Sequence, residues 1–266
     1  MKKHLGISSH FGFDLLLEQR LQLISQAGFS STFILFEEED DFIKKNETQK
    51  IPELVNDSGL LLEHIHASYK DANLIWSRDL SDQKKIKTYY QDCIKFCSKY
   101  SIPHLVVHPS QSSTPPSFSK SGLKIFADLT LLAQDQNVKI AVENTRVDSY
   151  TDFILDNIKS KNLGLCYDTS HDNLYGNPAF GLLQKYSKRL FVTHISDNLG
   201  DKDSHTLPWR GNFDWKKFVD IFSGIKYGGT LTLEVAKEKD DDQPSDFLNL
   251  AFETAKKLHK MIGNSK

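Results

Sequence analysis

The sequence predicts an α/β protein, a single (β/α)8 TIM barrel occupying residues 1–266 as one domain. Three observations predict it. Eight short β-branched or apolar runs alternate strictly with eight longer amphipathic stretches, which implies parallel strands joined by right-handed crossovers. The repeat is about 33 residues, which suits a closed eight-unit barrel better than an open doubly wound sheet. No G-x-G-x-x-G follows the first strand, against a dinucleotide-binding sheet, and no Gly/Ser linker divides the chain.

In chain order, strand 5–9 (LGISS) is followed by a helical pattern near 14–27, and 31–36 (STFILF) by one near 48–58. Strand 61–68 (LLEHIHAS) precedes 81–100, and 104–109 (HLVVHP) precedes 121–136. Strand 139–145 (KIAVENT) leads to 151–160, and 163–169 (LGLCYDT) to 178–188. Strands 190–196 (LFVTHIS) and 229–235 (GTLTLEV) lead to helices near 214–224 and 245–262. Ser81, Thr151 and Ser245 stand where helix caps belong, because their side-chain oxygens can accept from first-turn N–H groups. The longest loop, 109–121 (PSQSSTPPSFSKS), reads as part of the barrel rim.

With 39% hydrophobic and 26% charged residues, the composition excludes collagen-like, disordered and disulfide-scaffold classes. Lys+Arg is 33 against Asp+Glu 35, so no global charge draws the chain to nucleic acid or anionic membranes. Three cysteines, Cys93, Cys97 and Cys166, form no C-x-x-C pair and fit a reducing compartment. No stretch approaches the roughly 18 apolar residues of a membrane span, and the N-terminus shows no apolar leader. The expectation is a cytoplasmic protein with no membrane partner; self-association into a homo-oligomer is left open.

The informative feature is where the polar residues fall. Reactive groups of a parallel barrel sit where strands end, because those ends converge on one mouth. Strand three ends with His64 and His66, two apart and therefore on one face. Strand four ends with His108, strand five with Glu143 and strand six with Asp168, followed by His171. Strand seven carries His194, with Asp203 and His205 in its loop, and strand eight ends with Glu234. Any one of these could be an ordinary hydrogen-bonded structural residue. Together they form a buried set with almost no Lys or Arg to neutralise it, and buried charge is costly unless paired or metal-bound. Glu143, Asp168, His194 and Glu234 offer a mixed nitrogen/oxygen site for a divalent metal, Zn²⁺ or Mn²⁺, with Mg²⁺ or Co²⁺ as further choices.

The segments HASY (66–69), HPS (108–110), AVENT (141–145), LGLCYDTSH (163–171), THISDN (193–198), DSHTLPWRGNFDW (203–215) and LTLEV (231–235) make the chain resemble the xylose isomerase-like TIM barrels. That family includes sugar isomerases and epimerases, inosose-type dehydratases and zinc apurinic endonucleases. In its ketose epimerases the ligand positions match Glu143, Asp168, His194 and Glu234, and the resemblance implies that His171 contacts substrate. In its endonucleases five further positions hold additional zinc, and these match His66, His108, His171, Asp203 and His205. The Asp-x-His-x-x-Pro-Gly-x-Gly loop departs from pattern here, with Trp209 at the first Gly and Gly211 keeping the second.

The isomerase reading assigns proton removal and return to Glu143 and Glu234, with the metal stabilising an enediolate. A dehydratase would begin with the same proton removal. The endonuclease reading needs cations near the site for phosphate contacts. The rim instead carries Glu37–Asp41 (EEEDD) and an acidic 240–242 run, so nucleic acid is disfavoured and a small carbohydrate-like substrate expected. Tyr69, Trp76 and Trp209 are candidates to stack on a sugar ring, although packing explains each more simply. Arg210, with Lys202, is a candidate to meet a substrate phosphate.

Overall fold

Eight parallel strands build the molecule: β1 (Leu5–Ser8), β2 (Ser31–Phe36), β3 (Leu61–Ala67), β4 (His104–Val107), β5 (Lys139–Glu143), β6 (Leu163–Asp168), β7 (Leu190–His194) and β8 (Leu231–Leu233). They pair in the order β7-β6-β5-β4-β3-β2-β1-β8. A parallel bridge between Ile195 and Leu233 joins the two ends of that order, with Ile195 N–H donating to the Thr232 carbonyl at 2.9 Å. The sheet is thus rolled into a TIM barrel. This is a computed structural model, and it describes residues 4–36, 45, 47–239 and 243–264. The acidic 37–41 run and Asp240–Asp242 lie outside the described residues.

The helices are α1 (Leu17–Gln26), α2 (Ile51–Asp57), α3 (Leu80–Lys99), α4 (Lys120–Asp135), α5 (Asp148–Asn157), α6 (Thr169–Tyr175), α7 (Gly181–Lys185), α8 (Trp215–Ser223) and α9 (Pro244–Asn264). Their apolar positions recur three and four residues apart, as with Ile86, Tyr90, Cys93, Ile94 and Cys97 on α3, and that face packs on the strands. Asp79 rather than Ser81 caps α3, accepting from Ser81 N–H at 2.7 Å. Thr151 lies inside α5, where its hydroxyl donates to the Glu143 carbonyl at 2.7 Å. Ser245 lies inside the first turn of α9, which starts at Pro244, so it does not cap that helix.

The largest departure follows β6. Instead of one helix over 178–188, α6 starts directly at Thr169, because the Asp168 carboxylate caps it by accepting from His171 N–H at 2.7 Å. Only Gly181–Lys185 of the expected helix forms, followed by a 3₁₀ turn at Ser187–Arg189.

The barrel interior alternates with the period of two that strands impose. One layer is apolar: Val106, Ala141, Cys166 and Val192, all fully buried. Two residues further along the same strands stand His108, Glu143, Asp168 and His194, so the site layer rests directly on this plug. Between β2 and β3 the register steps by one residue, Thr32 facing Leu62 and Phe33 facing His64. That irregularity turns Glu63 inward, and its carboxylate accepts from the Thr232 hydroxyl on β8.

Candidate metal centre and cleft

At the C-terminal ends of the strands opens a cleft of about 400 Å³, lined among others by His66, Tyr69, His108, Glu143, Arg146, His171, Asp203, His205 and Glu234. Glu143 is its hub. It is 1% exposed and meets His66 Nε2 at 3.0 Å, His108 Nε2 at 3.2 Å, His171 Nδ1 at 3.2 Å and His194 Nδ1 at 3.4 Å. Glu234 approaches from β8, with its carboxylate 3.0 Å from His194 Nδ1. Donor atoms of Glu143, Asp168, His194 and Glu234 all lie within 4.8 Å of one another, as do those of His66, His108 and Glu143.

The hydrogen bonds show which nitrogen each imidazole has left to offer. The Nδ1–H groups of His66, His171 and His205 donate to the carbonyls of Ala67 (2.8 Å), Asn144 (2.9 Å) and Glu234 (3.0 Å). Each ring then aims Nε2 at a carboxylate: His66 at Glu143, and His171 and His205 at Asp203 at 3.1 and 3.3 Å. A neutral imidazole in that state has only a lone pair to turn toward an oxygen that also has only lone pairs, so each contact needs a proton or a cation between its partners. A carbonyl on one nitrogen and an open second nitrogen is the pattern of metal-binding histidines. Two further atoms agree. His194 Nδ1 and Asp168 Oδ2 are buried without a hydrogen-bond partner, and both belong to the four-residue set. The donors therefore fit a divalent ion, held by Glu143, Asp168, His194 and Glu234, with His66 and His108 able to join Glu143 around a second.

The electrostatics describe the same strain. Burial pushes Asp168 up to about 7, and the charges of Glu143, Glu234 and Asp203 add to the push against the pull of His171. Burial would also raise Glu143, but His108 and His194 outweigh it and hold its carboxyl well below the usual range. Burial lowers a histidine, yet Asp168, Asp203 and Glu143 keep His171 well above its ordinary value. Burial keeps the Cys166 thiol protonated beneath His194.

The loop that carries Asp203 and His205 is folded over the mouth by Asp197. Its buried carboxylate accepts from Asn198 N–H (2.8 Å), Trp209 N–H (3.0 Å), Phe213 N–H (3.1 Å) and Trp215 Nε1–H (2.7 Å). Trp209 sits in the left-handed region at φ 71°, so the loop keeps a glycine-type path with a tryptophan in place. Gly211 passes so close that an added Cβ would lie 2.1 Å from the Asn198 carbonyl oxygen.

Three expected substrate contacts are placed elsewhere. Trp76 is buried away from the cleft, donating Nε1–H to the Pro109 carbonyl at 2.6 Å and packing on Phe126 and Tyr150. Trp209 packs against Trp215 with Lys257 Nζ over its ring at 3.7 Å. Arg210 pairs with Glu238 at 2.6 Å instead of facing the cleft. Tyr69 does line the mouth, stacked on His108. Sequence reasoning missed three supports: Glu63, Asp197, and Asn144, whose side chain clamps the Asp168 backbone through N–H (2.7 Å) and carbonyl (2.8 Å).

Fold and site together define a parallel barrel whose strand-end carboxylate and histidine cluster could hold a divalent ion. Residues 21–255 match the family model for the xylose isomerase-like TIM barrel, and the chain belongs to that family. It is similar to the inosose isomerase of Bacillus velezensis, 22% identical over 246 residues, covering 82% of this chain and 83% of that protein. Over a shorter span it is similar to the probable endonuclease 4 of Mycoplasma mycoides, 34% identical over 118 residues, 40% of each chain. Among solved structures it superposes on a D-tagatose 3-epimerase-like protein with TM-score 0.79 at 21% identity, covering 98% of each chain. It also superposes on the IOLI protein with a bound zinc atom, TM-score 0.75 at 18% identity, covering 99% of each. Among the described residues no helix is long and apolar enough to cross a membrane.

Proposed function

We propose that this barrel is a metal-dependent isomerase or epimerase acting on a sugar or related polyol. The observation that carries the reading is the placement of Glu143 and Glu234 on two well-separated strands, both against His194 Nδ1 and both lining the cleft. Glu143, Asp168, His194 and Glu234 would hold a divalent ion, which would supply Lewis-acid polarisation to a hydroxycarbonyl substrate. The chain's own residues do the rest. One of the two glutamates takes the proton from the carbon between the oxygens and the other returns it, to the opposite face for epimerisation or the adjacent carbon for isomerisation. His171, whose Nδ1–H is fixed by the Asn144 carbonyl, turns Nε2 from the Asp203 carboxylate to a substrate oxygen. The apolar plug below and the Asp197-anchored loop above limit water at the reacting carbon. The inosose isomerase relative and the zinc-bound IOLI structure support the activity and the metal.

The complete nitrogen and carboxylate array also suits a multi-zinc phosphodiesterase, which is the second reading. Against it, Arg146 is the one Lys or Arg among the described residues lining the cleft, whereas a nucleic-acid backbone needs several. Metal-loaded protein incubated with candidate ketoses in deuterated water tests the proposal. It predicts deuterium incorporation beside the carbonyl and formation of the epimer or isomer. A loss of water marks the dehydratase branch, and nicking of abasic DNA without deuterium exchange overturns the proposal.

A further inference from the structure

The cleft is lopsided in what it leaves unsatisfied. On the β7 and β8 side Asp203 is matched by His171, His205 and the Ser170 hydroxyl, and the unpartnered His194 Nδ1 faces Glu234 inside the metal set. On the wall formed after β4 and β5 three groups are not matched. Ser110 is 1% and Thr145 4% exposed, and both hydroxyl oxygens are buried without a hydrogen-bond partner. Beside them Arg146 lines the same cleft, with its guanidinium 5.8 Å from the centre of the Tyr175 ring and no carboxylate partner among the described residues. The wall is held in place from behind. Trp76 holds the Pro109 carbonyl, and Asn73 clamps Gln111 through both its backbone N–H and its carbonyl at 2.8 Å.

A hydroxyl can serve a neutral sugar oxygen, but a guanidinium is a permanent charge with donors only, in a fork matched to carboxylate and phosphate oxygens. Arg146 is exposed at the mouth of the cleft that the two buried, unsatisfied hydroxyls also line, so this wall offers an anion a fork of donors with hydroxyls to complete it. From the Ser110, Thr145 and Arg146 wall we infer that the substrate carries an anionic group, a phosphate ester or a carboxylate, at the end remote from the oxygens that meet the metal. This rests on the isomerase reading and deepens it. It also moves the anion position from the β7 loop, where Arg210 is already paired with Glu238, to the β4–β5 wall.

Matched substrates test the inference on metal-loaded protein: D-fructose against D-fructose 6-phosphate, D-ribulose against D-ribulose 5-phosphate, and a hexuronate for the carboxylate. A charge-assisted contact of this kind predicts that kcat/KM for an anionic member exceeds that for its neutral partner by roughly 10- to 100-fold. Arg146→Gln is expected to bring that ratio close to one, mainly through KM, and Arg146→Lys to restore part of it. Ser110→Ala and Thr145→Val are each expected to raise KM for the anionic substrate several-fold. Whether the esters or the uronate respond to Arg146 identifies the source of the anion. Equal use of neutral and anionic sugars, or a ratio unchanged in Arg146→Gln, overturns the subsite while leaving the isomerase reading intact. If no sugar is turned over, calorimetry with inorganic phosphate decides separately. Binding that Arg146→Gln weakens upholds the subsite although the reaction is misassigned, and binding indifferent to Arg146 overturns it.

Discussion

His64 and His194 meet Nε2 to Nε2 at 3.0 Å inside the barrel, both stacked on the ring of Phe33. One nitrogen must donate and the other accept. His194 Nδ1 faces Glu143 and Glu234 with no hydrogen-bond partner, so a metal bound there leaves the proton of His194 on Nε2, and His64 accepts it. His64 then keeps its own proton on Nδ1, 3.7 Å from the inward-turned Glu63 carboxylate. A line of three side chains, Glu63, His64 and His194, therefore sets the tautomer of one ligand.

The first prediction follows from that line. His64→Phe keeps the stack on Phe33 but removes the acceptor, and metal affinity is expected to fall about 10- to 100-fold. His64→Gln, which supplies an oxygen acceptor, is expected to recover much of the loss. Chelator competition on folded protein, checked by circular dichroism, measures both.

The second concerns pH. Burial alone would lower His194 and His205, but for His194 the Cys166, Glu234 and Glu143 groups, and for His205 Asp203 and Glu234, hold them up, His205 at about 9. A raised imidazole contributes stability that is fully present below the ordinary value of about 6.5 and is lost as pH rises through the folded-state value. The metal-free protein is therefore expected to lose Tm between about pH 6.5 and 9. Metal takes the place of the protons, so its affinity should rise over the same window and the loaded protein should hold its Tm. Thermal melts with and without Mn²⁺ across this range check the sign.

Gly211 gives the third. Gly211→Ala drives a methyl group into the Asn198 carbonyl and the Asp197 carboxylate, the anchor of the loop that carries Asp203 and His205. The cost is expected to be about 2 kcal/mol of stability. Activity should fall about 100-fold through misplacement of that loop, read from denaturant melts and turnover on one preparation.

Much of the site is written in the sequence because its residues break local rules. Glu143 and Glu234 are charges closing apolar strands, and the histidines two residues beyond a β-branched run had to share the inward face. What escaped notice depends on partners distant in sequence. The inward turn of Glu63 comes from a one-residue register step against β2, invisible in LLEHIHA itself. Packing is the simpler reading of Trp76, but the partner that fixes it, the Pro109 carbonyl, lies 33 residues away. Asp197 resembles any loop aspartate, yet four donors from residues 198 to 215 converge on it. His171 sits on α6 because Asp168 doubles as a helix cap, which no periodicity over 178–188 could show.

Titrating chelator-stripped protein with Mn²⁺, followed by electron paramagnetic resonance, tests the central claim most directly. At least one ion is expected to bind tightly to the native chain, with occupancy of that site lost in Glu234→Gln and in His194→Ala. Native protein that leaves every added ion free, or variants that bind as the parent does, would contradict the account.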